Sequence, residues 1–509
     1  MRKFMGMVAL AMLAVGSAAH AEWRRAQTAH FILTIDAGEE EARDFATRLE
    51  SFDAALRRLY GDSSKADPAL RPITIYAFGN ELYNATCRCP GALAYYRPRA
   101  EGSFILSQYV PKIDRKAEIG GWSSQSLLLH EYTHHFTFSN FPIAYPFWFQ
   151  EGFAEFNANS SFEKDGSIII GYPANYRADG LKNGGDQMSM KQLLAPNRYG
   201  YGDFDMIYGR GWLLTHYLIL NPQRSGQLAK YLDAMNTGLP SIEAAQKAFG
   251  DLKKLDAELD AYRKRTLFAP LRIPPSGPIK VTVTTMSAGE AALLPTYALM
   301  LDGVDSGQRL GTAMKAEGIA GRYPDDPIVQ AQLAEIELLA QRYDKVDEAA
   351  DRALAVDPKS VVALVRKGQA AMGRANKAKS KDPAVWAAAR AWFLKANRID
   401  SNQVMPLFLY YASFTAAKEK PTPGAVKALE RAVVLAPESS VIALTLAQQM
   451  LDEGNAAYAR KLLEPVAFAP HAPIEKNVPL DVIKLIDAGK IDEAKTTLRG
   501  KKKDDDGES

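Results

Sequence analysis

Leu127-Leu128-Leu129-His130-Glu131-Tyr132-Thr133-His134-His135-Phe136 is the stretch on which the reading of this chain turns. The chain has seven histidines, and three of them fall inside these ten residues. On a helix, at about 100° per residue, His130 and His134 lie about 40° apart around the axis, so both imidazoles face one cation. His135 stands about 140° from His130 and is expected beside the pair, not in it. Glu131 adjoins the first histidine; it is badly placed to touch the same ion but well placed to reach a water held by it. H-E-x-x-H thus joins two neutral imidazoles for Zn²⁺ to a carboxylate that takes the proton of an activated water. Neutral ligands leave the ion's charge largely uncompensated, which brings the water's pKa down toward ~7. The plainer alternative is a solvated helix whose histidines and glutamate simply face water.

A catalytic zinc needs a third protein ligand, and a carboxylate or imidazole is the usual one. Downstream, Pro146-Phe147-Trp148-Phe149-Gln150-Glu151-Gly152-Phe153-Ala154-Glu155-Phe156 supplies a candidate. Glu151 follows an apolar, aromatic run and opens what reads as a second helix. Glu155 lies one turn on along the same face, where it can accept a hydrogen bond from the other ring nitrogen of a ligating histidine. A solvated face is the alternative for Glu155, but its neighbours are residue types of buried positions.

His130-Glu131-Tyr132-Thr133-His134, followed by Trp148-x-x-Glu151-Gly152-x-Ala154-Glu155, resembles the gluzincin metallopeptidases. The nearest likeness is the exported bacterial branch termed peptidase MA-like, often joined to tetratricopeptide repeats. The resemblance spans roughly residues 25 to 265. It implies an α+β zincin-like N-terminal domain with the two histidines on one helix, the glutamate ligand on a second, and a sheet edge that holds extended substrate. Carried over, His130, His134 and Glu151 become the ligands of a single Zn²⁺ per chain, and Glu131 becomes the general base and acid. A developing oxyanion also needs a donor, and gluzincins often take a tyrosine from a later helix. Tyr208, in Tyr208-Gly209-Arg210-Gly211-Trp212, is the choice here, with Tyr199, Tyr201 and Tyr217 as rivals. Arg210 is read either as a partner for a substrate carboxylate or as half of an ion pair. His216 is read as a core or rim histidine. Ten aromatic residues between Tyr132 and Phe156 either wall a pocket or, more plainly, pack as core.

The remaining sequence is read outward from this centre. The chain has 509 residues, 47% hydrophobic and 24% charged, which describes a globular protein of two to four domains. A net charge of +3, two positives of which are Arg2 and Lys3, gives no sign of a nucleic-acid partner. Arg2-Lys3, the apolar run Phe4 to Val15 and Ala19-His20-Ala21 read as a secretory signal over residues 1–21. Export to the periplasm, or secretion, is therefore expected, with no transmembrane segment in the mature chain. Cys87 and Cys89 are the only cysteines; a bond between them would close a small ring, and a plain surface loop beside Pro90-Gly91 is the reading preferred.

Residues 22–268 are assigned to the zincin-like domain, with a mixed α/β layer over 22–115 and a helical part over 120–265. Within the layer, strands are expected at His30–Ile35 and Pro72–Phe78, a helix at Glu39–Tyr60, and a hairpin pairing Leu93–Tyr96 with Ser103–Ser107. Four prolines and a glycine between Pro270 and Pro278 mark residues 269–286 as a linker, within which one short strand, Ile279 to Thr285, leads into the Ala-rich helices. Residues 287–500 read as an all-α array of tetratricopeptide-like repeats. Ala334, Tyr343, Ala353-Leu354 and Asp357-Pro358 stand at the repeat's offsets, and the ending signal returns at Asp400-Ser401, Ala436-Pro437 and Ala469-Pro470, at intervals of 43, 36 and 33 residues. Residues 501–509 form a polar tail. No phosphate-binding glycine loop and no G-x-S-x-G elbow occurs. The expected activity is hydrolysis of peptide or protein substrate by metal-activated water, with the repeats offering a surface to a protein partner. The competing reading is a zincin-fold scaffold, weakly active or inactive, that acts through those repeats.

Overall fold

A computed structural model describes residues 23–62, 67–89, 91–110, 123–177, 188–195, 204–265, 268–468 and 477–500. The signal, the tail, Tyr199, Tyr201 and Ala469-Pro470 lie outside the described residues. The N-terminal layer runs β1 (Trp23–Gln27), β2 (Phe31–Asp36), α1 (Glu39–Tyr60), β3 (Ile73–Phe78), α2 (Asn80–Thr86), β4 (Ala94–Arg97) and β5 (Phe104–Gln108). The expected strands, helix and hairpin therefore all form, the helix with the bounds read from its periodicity.

Strand polarity follows from alternation. Ile73, Ile75 and Ala77 of β3 join the core beneath α1, whose Phe45, Leu49, Phe52 and Leu56 are buried there. Tyr76 and Phe78 point the opposite way, with Phe104 and Leu106 of β5. α1 itself opens on Glu39, Glu40 and Glu41 and closes on Arg57 and Arg58, charges that suit the two ends of its dipole.

The helical part follows: α3 (Ser124–Asn140), α4 (Phe147–Ala158), the short strands β6 (Ser160–Phe162) and β7 (Ile168–Ile170), α5 (Met190–Leu193), α6 (Phe204–Leu220), α7 (Gln227–Asn236), α8 (Ser241–Phe249) and α9 (Leu252–Arg263). The stretch assigned as a linker holds the short strand expected over Ile279 to Thr285 and one more strand before it. It supplies β8 (Leu271–Ile273), which pairs with β7, and β9 (Thr282–Thr285), which pairs with β1. The prolines stop helix formation, but they spare Leu271–Ile273 and the β-branched run Thr282–Thr285, and these satisfy the open edges of two sheets. Among the described residues the main sheet thus has six strands in the order β4-β5-β3-β2-β1-β9, with β4 at one edge.

Beyond it, among the described residues, stand six helix pairs: α10 (Ala288–Asp302) with α11 (Arg309–Ala320), α12 (Pro327–Leu339) with α13 (Tyr343–Val356), α14 (Val361–Lys377) with α15 (Pro383–Ile399), α16 (Val404–Ala416) with α17 (Pro423–Leu435), α18 (Ser440–Asp452) with α19 (Ala456–Ala467), and α20 (Val478–Asp487) with α21 (Ile491–Arg499). One turn geometry recurs between the helices of these pairs. Five pairs turn through a left-handed residue, namely Gln341, Lys379, Lys418, Gly454 and Gly489. In each, the next amide reaches back to the carbonyl five residues earlier, as from Arg342 to Glu337 (3.0 Å) and from Asn455 to Met450 (2.8 Å). Small residues allow close packing between helices: a Cβ on Gly373 would meet the Tyr343 ring at 2.3 Å.

The array does not stand apart from the sheet. Leu294 and Ala298 of α10 pack on Phe78, Phe104 and Leu106, and Ala100, in the β4–β5 turn, is buried in the core of the last three pairs. One part of the helical array, α10, thus packs against the chain's own sheet. Cys87 and Cys89, expected as a plain loop, are joined in a disulfide at the C-terminal end of α2. Among the described residues no helix is long and apolar enough to cross a membrane.

Candidate metal centre

α3 starts at a reciprocal cap. Ser123 Oγ accepts from the Ser126 amide at 2.9 Å, and Ser126 Oγ accepts from the Ser123 amide at 3.0 Å. From there Leu128, Leu129, Tyr132 and Phe136 are buried in the common core. Rotation of the helix is pinned from α1: the Tyr132 hydroxyl donates to Asp53 at 2.5 Å, and Arg57 holds the other oxygen of Asp53 at 2.7 Å. Thus the residue between the two histidine turns is locked to a neighbouring helix.

α4 is buried along nearly its whole length, with Glu151 0% and Glu155 1% exposed. Its contact with α6 is backbone against backbone. A Cβ added at Gly152 would lie 2.3 Å from the Gly211 carbonyl carbon, and one at Gly211 would lie 2.6 Å from the Trp148 oxygen. Only glycine at both positions permits this crossing. It carries Glu151 on one helix and Tyr208 on the other into the same space.

There the predicted ligands meet. His130 Nε2 and His134 Nε2 are 3.2 Å apart, and Glu151 Oε2 lies 3.3 Å from the first and 3.8 Å from the second. Metal–ligand bonds of about 2.0–2.1 Å in tetrahedral array give ligand–ligand edges of about 3.3 Å. The three atoms thus fit a tetrahedral zinc without rearrangement of the backbone. Burial acts to lower the His130 pKa, but the hydrogen bond to Glu151 and the charges of Glu155, Glu131 and Glu151 outweigh it and push it up to about 9. The surrounding carboxylates thus favour positive charge at this ring.

Glu131 is not among the ligand atoms. Its Oε2 accepts from the backbone amide of Tyr96, on the edge strand β4, at 2.7 Å. The base candidate is therefore placed between the ligand pair and a sheet edge. His135 turns away, as its helical angle requires. Its ring meets the Tyr96 hydroxyl at 3.2 Å, and burial, aided by the Arg71 charge, pushes its pKa down to about 3.

Glu155 Oε1 stands 3.7 Å from His130 Nδ1, on the side away from Glu151 and longer than a hydrogen bond. Two residues that the sequence reading missed complete this side. The Tyr176 hydroxyl donates to Glu155 Oε2, and Arg177 Nε donates to Oε1 at 3.1 Å. Arg177 also binds Asp205 at 2.7 Å and lies 4.4 Å over the Tyr208 ring. The one available signal was indirect: a glutamate on an apolar helix demands a buried counter-charge.

Tyr208 stacks on the His130 ring, with centroids 5.9 Å apart and planes within 9°. Burial, followed by the charge of Glu151 and a hydrogen bond to it, raises its pKa well above the ordinary value, so the hydroxyl keeps its proton. Of the rivals, Tyr217 donates to Glu258 at 3.0 Å instead. Arg210 is fully buried and pairs with Asp256 and Asp260, so it is not a site for a substrate carboxylate. His216 is a core residue: it is fully buried, meets the Tyr262 hydroxyl at 2.8 Å, and burial lowers its pKa to about 4. Most of the aromatic run, including Tyr132, Phe136, Trp148 and Phe156, packs as core.

A second cluster, His30 with Glu50 and Asp53, brings ligand-type atoms together. It reads as an ion-pair network, because Arg57 already neutralises Asp53 and His30 Nδ1 lies 2.6 Å from Glu50. Comparison with protein-family models and with curated proteins returns no match.

Proposed function

We propose that this chain is an exported zinc-dependent peptidase of the gluzincin kind: a zincin-like catalytic domain followed by tetratricopeptide-like repeats. The observation that carries the reading is the near-tetrahedral meeting of His130 Nε2, His134 Nε2 and Glu151 Oε2, with a non-ligating Glu131 beside it. A divalent ion held by those three atoms supplies Lewis-acid polarisation of a carbonyl and a water acidified toward neutrality.

The chain's own residues do the rest. Glu131 accepts a proton at its carboxylate and returns it to the leaving amine. Tyr208 keeps its proton in this buried setting and donates a hydrogen bond from its hydroxyl to the developing oxyanion. Glu155, anchored by Arg177 and Tyr176, holds negative charge behind His130. In the described sheet β4 has β5 on one side only. An extended peptide adds along its outer edge, beside Glu131. The basic, apolar and small residues at the start of the sequence support export, to the periplasm or beyond.

Peptide hydrolysis under chelation tests the reading. A fluorogenic peptide mixture should be cut by the full chain, spared after treatment with a zinc chelator, and cut again once zinc is restored, while the protein stays folded. Cleavage indifferent to the chelator would contradict it.

A further inference from the structure

The strand beside Glu131 is held from outside the catalytic layer. β4 is four residues long and has one ladder neighbour, with Tyr96 opposite Ile105 and Arg97 opposite Phe104. So short an edge strand is marginal by itself. Alternation sends Tyr96 to the α3 side, where its hydroxyl meets His135, and Tyr95 and Arg97 to the opposite face. On that face lies Asp302, the last residue of α10, with its side chain 1% exposed.

Asp302 accepts from the Tyr95 hydroxyl at 2.5 Å, from Arg97 at 3.0 Å and from the Arg88 amide at 2.6 Å. All three donors belong to the catalytic domain, and two flank Tyr96, whose amide binds Glu131. At the far end of the hairpin, Glu438, between α17 and α18, accepts from Ser103 at 2.9 Å and pairs with Arg71 at 3.5 Å. Arg71 also donates to the Leu435 carbonyl at 2.9 Å. In these pairs the arginines stand on the sheet side and the acids on the helical side, as they do in Arg25–Glu290 (2.6 Å) and Arg88–Asp305 (3.1 Å).

We infer that Asp302 is a positioning residue for the peptidase reaction: through Tyr95 and Arg97 it fixes β4, so the helical repeats hold the strand that receives substrate. The inference rests on the proposed peptidase reading for its catalytic consequence, but not for the mechanical one. Loss of Asp302 frees the strand without touching any metal ligand.

The test uses the full chain and two variants, Asp302→Ala and Tyr95→Phe. The second removes one donor and keeps the ion pair, so it carries the test if the first fails to fold. Amide exchange over residues 94–97 should quicken by about tenfold in Asp302→Ala and by less in Tyr95→Phe. Zinc content should not change. On a fluorogenic peptide mixture KM should rise by about fivefold and kcat should fall by less than that, because the three ligand atoms remain in place while the strand amide on Glu131 loosens. Unchanged exchange overturns the inference, and so does a fall in kcat at constant KM. If the wild-type chain cuts nothing, the peptidase reading falls separately and exchange alone decides whether Asp302 holds the strand.

Discussion

Glu131→Gln should leave zinc bound and the fold intact while peptide hydrolysis falls by about 10²–10⁴-fold, the range that a positioned general base contributes. The asymmetry follows from the placement of the side chain. Glu131 supplies no ligand atom, so the grip of His130, His134 and Glu151 on the ion is untouched. It accepts from the Tyr96 amide at 2.7 Å, and the carbonyl oxygen of glutamine accepts that bond equally well. Glutamine lacks only the ability to take a proton. Steady-state cleavage with metal analysis on the same preparations checks the outcome. A variant that cuts at the wild-type rate would remove Glu131 from the mechanism.

Gly152→Ala should be the most damaging single methyl in the N-terminal domain. Two effects oppose each other. Alanine in a helix interior is favoured over glycine by about 1 kcal/mol. Against this, the new Cβ would lie 2.3 Å from the Gly211 carbonyl carbon, a backbone atom that cannot rotate away. Overpacking of this kind costs about 1–3 kcal/mol, and more where rigid backbone is displaced. The clash should win, with a net loss of about 2 kcal/mol or more and a lowered unfolding midpoint in thermal melts. Because the same crossing sets Tyr208 against Glu151 and His130, activity should fall further than stability alone explains. Gly152→Ala with an unchanged midpoint would show that α4 and α6 are less tightly apposed than described.

The parts of this protein that were legible in its sequence are those governed by local period and by the demands of one ion. His130 and His134 could be placed on one helical face because four residues make about one turn, and Glu151 because a catalytic zinc needs a third ligand. Residue type alone made Glu155 conspicuous, a carboxylate among aromatics. What could not be read depends on partners far along the chain or on backbone atoms. The Tyr96 amide that holds Glu131 belongs to no side-chain pattern. Asp302 acts on residues more than 200 positions away. Tyr176 and Arg177 sit in a short turn without periodicity. The proline-rich stretch after Phe268 reads as a boundary because proline stops helices; the strand that follows it was legible, but β8 and the two sheet edges these strands complete were not. In the repeats, alanine content and ending signals were visible. The left-handed turn residues were not, because Gln341, Lys379 and Lys418 are not the glycines such turns favour.

Metal stoichiometry of the mature chain, measured beside His134→Ala and at two pH values, bears most directly on the central claim. The account predicts a single zinc ion per chain, lost on His134→Ala because one edge of the ligand triangle disappears. It also fixes the sign of the pH effect. His130, with its pKa pushed up to about 9, holds a proton that the ion must displace. Affinity should therefore weaken by about tenfold for each pH unit below that value, as proton and metal compete for one nitrogen. A chain that binds no zinc at pH 8, or a His134→Ala variant that keeps its ion, would contradict the account.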